Sequence, residues 1–131
     1  MASRYTYQEM EACVALIEKM RRERGRLAFT QEHYQQDLSR GFWAMAQSRL
    51  SRAEQVEAEI AKMQGEFDAI VAKADEALEQ NPADRRALLI RSYADCAMLP
   101  PKDWSAYMAG MKSLRARVQK EKDQDNMLSL W

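Results

Sequence analysis

The chain has 131 residues, of which 47% are hydrophobic and 31% charged, with Lys/Arg and Asp/Glu balanced at 20 each. That length suits one domain with a core of its own. The zero net charge argues against a dedicated nucleic-acid binder, which is normally basic overall, and no apolar run reaches the ~18–20 residues that span a bilayer.

Only three Pro and four Gly stand among many Ala, Glu, Gln, Arg and Met residues, so helix is expected throughout. Thr6 and Glu9 form a capping-box pattern that opens a first helix over residues 6–24. Tyr7, Met10, Val14 and Ile17 give it an apolar stripe, and Gly25 after a cationic turn reads as its stop. Thr30 caps a second helix over 31–49. Tyr34, Leu38, Phe42 and Met45 form one stripe on it, with Trp43, Ala46 and Leu50 beside them, so a wide apolar face predicts a central position. A break near 49–52 is expected, because an uninterrupted helix over 31–80 would run to roughly 75 Å.

The strongest pattern follows in the helix over 52–80. Val56, Ile60, Met63, Phe67, Ile70, Ala74 and Ala77 are spaced as a heptad seam, with Glu57, Glu59, Glu66, Asp68, Asp75, Glu76 and Glu79 around the outside. Asn81-Pro82 restarts the chain into a helix over 82–98, faced by Leu89, Ile90, Tyr93, Ala94 and Ala97 and stopped by Pro100-Pro101. A last helix over 102–122 carries Trp104, Tyr107, Met111, Leu114 and Val118, and an apolar tail occupies 124–131. No strand or hairpin signal occurs. The segment Ala77–Pro82 is similar to the end of a tetratricopeptide repeat. Leu88 and Ser92 stand where that repeat wants an aromatic and a glycine, and no second copy follows at about 34 residues, so no family is assigned.

The expected fold is all-α: a single domain of four to five helices, as an antiparallel bundle or stacked hairpins, compact or elongated, around a long heptad-patterned helix. The seam is expected to pack internally against the last two helices, leaving a remaining face for a partner. Gly41, Gly65 and Gly110 read as helical glycines at close packing contacts.

Chemistry finds little footing. His33 is the lone histidine, and Ser-His or Cys-His catalysis needs partners that nothing marks. No Glu-x-x-His pair, phosphate loop or metal-ligand cysteine spacing exists, so no enzyme activity, cofactor, metal or small-molecule substrate is expected. Cys13 and Cys96 read as buried free thiols of a reducing cytoplasm. The absence of a leader-like apolar run at the start agrees with that location.

Charge is laid out unevenly. Residues 1–52 carry nine cations against six anions, residues 53–84 two against nine, and residues 85–131 nine against five. The basic ends supply candidate contacts for an acidic partner or a phosphate backbone: Arg21, Arg22, Arg24, Arg26, Arg85, Arg86, Arg115 and Arg117. The tail supplies candidate apolar contacts: Met127, Leu128, Leu130 and Trp131. The favoured function is a non-enzymatic protein-interaction module — an adaptor, small subunit or inhibitor — binding another protein or a second copy. A subunit contacting nucleic acid through the basic helix ends is the alternative, and an acidic helix mimicking nucleic acid the second.

Overall fold

The computed structural model describes residues 3–100 and 102–129. It holds four α-helices and, among those residues, no strand: α1 (Tyr7–Ser39), α2 (Trp43–Gln80), α3 (Arg85–Ala97) and α4 (Trp104–Ser129). The all-α fold is as expected, and no helix is long and apolar enough to cross a membrane among the described residues.

α1 starts where the sequence placed it. Thr6 accepts the Glu9 N–H at 3.2 Å, half of the capping box. The other half is altered: Glu9 meets the Thr6 hydroxyl at 3.4 Å and gives its second oxygen to Lys73 of α2. α1 then runs straight through Gly25, which keeps helical backbone. Gly25 is therefore not a stop, and Thr30 is an interior residue, not a cap. The helical period continues beyond Gly25 through half-buried Leu27 and Tyr34 to buried Asp37. Packing along that line outweighs the ~1 kcal/mol propensity cost of a single glycine.

The break falls at Arg40-Gly41-Phe42 instead of at 49–52. Phe42 N–H reaches back to the Asp37 carbonyl at 2.8 Å, and Gly41 N–H to the Leu38 carbonyl at 3.1 Å. That is a Schellman end, and Gly41 supplies its left-handed residue at φ 77°. Gly41 is thus a turn residue rather than a helical one. α2 passes unbroken through Ser51, about 57 Å in all at the usual rise.

α1 and α2 form a long antiparallel hairpin. Its rungs run Glu9–Lys73, Arg24–Gln64, Gln31–Glu57 and Asp37–Arg49. The heptad seam of α2 begins earlier than at Val56: buried Ala46 and Ala53, with Arg49 between them, extend it toward the turn. Asp37, with a side chain 6% exposed, receives Arg49 Nε at 2.5 Å. Arg49 keeps one edge in solvent, but Asp37 does not, so a slip of the two helices would strand the buried carboxylate, and the pair favours this register.

α3 and α4 form a second antiparallel hairpin over one end of the first. Asp84 caps α3, accepting the Ala87 N–H at 3.2 Å, so this helix starts three residues after Pro82. Asn81 instead closes the turn by accepting the Ala83 N–H at 3.1 Å. Among the described residues the α4 backbone lies against α1 and α3, and no Cα of α4 comes within 8 Å of one in α2, so the α2 seam is lined chiefly by α1 and α3 rather than by the last helix. α4 also continues through residues 123–129 rather than fading into a tail. Close approach of α3 to α4 occurs at Gly110, where a Cβ would lie 2.5 Å from Cys96 Sγ.

The core lies where both hairpins overlap. Met10, Ile17, Met20 and Met111 are its most enclosed large side chains, joined by Phe67, Ile90, Tyr107, Leu114 and Val118. From α1 it draws residues no further along than Met20, and from α2 none before Ile60. Beyond Arg24, which still bonds to Ala97, the α1–α2 hairpin projects as a two-helix arm.

Candidate functional site

The fold divides the basic helix ends: Arg21, Arg24, Arg85 and Arg86 tie elements together, and Arg22, Arg26, Arg115 and Arg117 stand at the surface. Arg21 is buried. It donates to the Leu99 carbonyl and, at 3.0 Å, to the Pro100 carbonyl, with its guanidinium 4.4 Å from the Tyr107 ring centre. Arg24 donates to the Ala97 carbonyl at 2.9 Å and to Gln64 at 2.8 Å. Together they satisfy carbonyls left over at the end of α3, where cations are favoured, and clamp the α3–α4 connection to α1. Burial, and then the neighbouring Arg21, lower the Arg24 pKa from its ordinary value.

A second knot ties the start of α3 to α4. Buried Glu121 receives Arg85 at 2.8 Å and Arg86 at 3.0 Å, and Arg86 also holds Asp125 at 2.6 Å and the Tyr5 carbonyl at 2.9 Å. Burial tends to lower the Arg86 pKa, but the hydrogen bonds and charges of Asp125 and Glu121 prevail and raise it. At the adjoining cap, burial tends to raise Asp84. Hydrogen bonds from Ser3 and the backbone of Ala87 and Arg4 outweigh it and hold the carboxyl below its ordinary value.

The other candidate cations are surface groups. Arg115 pairs with Glu18 at 2.5 Å, Arg26 with Glu23 at 3.2 Å, and Arg117 lies 5.7 Å from the Tyr93 ring centre. Arg22 is exposed. Arg115 and Arg26 thus already have a counter-charge in contact, which leaves Arg22 and Arg117 of this set without an ion pair among the described residues. The outer face of α2 keeps its acids in solvent, including Glu54, Glu57, Glu59, Glu66 and Glu79. Asp75 and Glu76 there pair with Arg91 and Arg4.

Met127 is exposed on α4. Leu130 and Trp131 lie outside the described residues, as does the side chain of Leu128.

What the sequence reading missed is the end of the arm. Trp43 is 69% exposed, Phe29 59%, Met45 52% and Phe42 48%. The stripe containing Phe42 and Met45 was expected to make its helix central. The Gly41 turn splits that stripe and puts Phe42 and Met45, with Trp43 of the neighbouring stripe, at the free end of the hairpin. Phe29 lines a groove between α1 and α2 of about 370 Å³ with Gly25, Arg26, Thr30, Arg52 and Val56. His33, expected near a helix start, lies mid-helix with its ring 4.1 Å from that of Phe29. The signal available was the Arg40-Gly41 pair directly before Phe42-Trp43.

No cluster of three or more potential metal-binding side chains exists among the described residues. Cys13 and Cys96 are free thiols; Cys13 is buried, and burial pushes it up to about 11, while Cys96 is only half-buried. A thiol held protonated is a poor nucleophile. Comparison with known protein families, curated proteins and solved structures finds no match.

Proposed function

We propose that this chain is a single-domain, non-enzymatic protein-interaction module of the cytoplasm, and that the projecting end of its α1–α2 coiled-coil hairpin is the recognition element. The observation that carries the reading is the set Phe29, Phe42, Trp43 and Met45, held exposed on a rigid arm that the rest of the fold leaves uncovered. Aromatic and Met side chains at a rigid, partly apolar surface are the residues that dominate protein contacts when buried by a partner. Burying each would remove it from water at roughly 25 cal/mol per Å² of apolar area, whereas leaving four large ones exposed gives the isolated chain nothing. The Asp37–Arg49 pair supports the reading by pre-organising the arm.

The partner is another protein or a second copy of the chain. The test compares wild type with Trp43→Ser/Met45→Ser, by light-scattering mass and by affinity isolation from an extract of the source cells. The expected result is association, or retention of a discrete protein, that the double variant loses while its circular dichroism and melting stay those of wild type. A monomeric wild type that retains the same proteins as the variant rules the arm out.

A further inference from the structure

We propose that the groove between α3 and α4 binds an acidic amphipathic segment of another protein, with one apolar side chain of that segment seated on Leu88 and its carboxylates held by Arg117 and Lys120. This second surface is independent of the arm and lies over the other end of the molecule.

The groove encloses about 420 Å³ along the two helices. Its floor is apolar: Leu89 is buried, and Leu88 is left 45% exposed by the described residues. Leu88 stands one turn before Ser92 on α3, and Ser92 returns its own hydroxyl to the Leu88 carbonyl at 2.7 Å, so it offers no competing bond across the groove. The opposite wall is one stripe of α4, spaced at helical intervals: Arg117, Lys120, Glu121 and Gln124.

Charge selects the occupant. Among the residues lining the groove, Arg85, Arg117 and Lys120 stand against one acid, Glu121, an excess of two positive charges; Arg86 and Asp125 pair with each other beside it. Both anions are engaged by Arg85 and Arg86. Among the described residues, Arg117 has its ring contact and no ion pair, and exposed Lys120 makes no ion pair. Two uncommitted cations beside an exposed leucine match a helix or extended segment that alternates acidic with apolar groups, which is the helix-in-groove mode of recognition. A phosphate backbone would gain from the cations but nothing from Leu88.

The test is fluorescence anisotropy with a labelled synthetic peptide, one leucine flanked by glutamates at helical spacing, at low and moderate salt. Controls are the same peptide with serine for leucine, and single-stranded oligothymidine. The protein variants are Leu88→Ser and Arg117→Glu/Lys120→Glu, all three on the surface, so the fold is expected to persist and is checked by melting; Trp43→Ser serves as the arm control. The expected result is saturable binding that weakens with salt, falls roughly tenfold or more in each groove variant and with the serine peptide, and is unchanged by Trp43→Ser. No binding, or binding indifferent to Leu88→Ser, overturns the proposal. Oligothymidine bound more tightly than peptide, through the same cations and without Leu88, replaces the occupant with nucleic acid. Self-association abolished by Leu88→Ser replaces it with a second copy. None of these outcomes bears on the arm, whose own variants are separate.

Discussion

Gly110→Ala is the sharpest probe of how the two hairpins lock together. The new methyl would lie 2.5 Å from Cys96 Sγ, about 1 Å inside ordinary contact. Forcing a methyl into a packed contact costs about 1–3 kcal/mol. Replacing a mid-helix glycine by alanine returns about 1 kcal/mol. The single variant is therefore expected to lose up to about 2 kcal/mol. Cys96→Ala removes the sulfur and leaves only its Cβ, at 3.5 Å from the added methyl, an ordinary distance. In that background the same Gly110→Ala change is expected to stabilise by about 0.5–1 kcal/mol. The effect of one substitution thus reverses sign with the identity of residue 96, and the coupling across the cycle is about 1–3 kcal/mol. Urea unfolding followed by far-ultraviolet circular dichroism on the four proteins measures it. Equal stabilisation by Gly110→Ala in both backgrounds would refute a locked Cys96 Sγ contact and show that the thiol swings aside.

Three further outcomes are expected. Gly25→Ala stabilises by about 0.5–1 kcal/mol, since its backbone is helical and no atom lies within 4 Å of the added Cβ, whereas Gly41→Ala destabilises by about 1–2 kcal/mol at φ 77°; denaturant melts of both check where α1 ends. Tyr5 donates to the Ile70 carbonyl at 2.9 Å and burial pushes its phenol up to about 12 from 10, so the folded state holds the proton more tightly than the unfolded chain. The Tyr5 contribution is then full below pH 10 and is lost from there toward pH 12; Tyr5→Phe is expected to flatten that decline in alkaline melts, and an unchanged slope would count against it. The Asp84 carboxyl is depressed below its ordinary 3.8, so its contribution is full above that pH and lost as pH falls through the lower folded value. Asp84→Ala should cost about 1–2 kcal/mol at neutral pH and less in acid, read from melts at both.

How much of this was legible in the sequence differs from element to element. The Val56–Ala77 seam was plain because one strict spacing held over three heptads, and five of its seven residues are buried, the other two packing at the edge of the core. The Thr6 start and the Pro100 stop were equally local. The ends of α1 were not. Gly25 and Gly41 are both preceded by arginine and look alike as residues. What separates them is the α2 surface that α1 meets beyond Gly25, a contact between residues some thirty apart, as Gln31 with Glu57 illustrates. Once the hairpin is placed at Gly41, Phe42, Trp43 and Met45 become an exposed tip while Tyr34 and Leu38 stay half-buried. The basic clusters misled for a related reason: Arg21 and Arg24 are spent on carbonyls at the end of α3, and Arg86 on Glu121, partners that only folding brings near.

The arm is best tested by a photo-crosslinking side chain placed at Trp43, with the same group at exposed Glu79 on the acidic face of α2 as the comparison. A discrete adduct formed from residue 43, to a second copy or another protein, with none from residue 79, is the outcome expected of an apolar recognition tip. Adducts from residue 79 alone would contradict it and point to the acidic face instead.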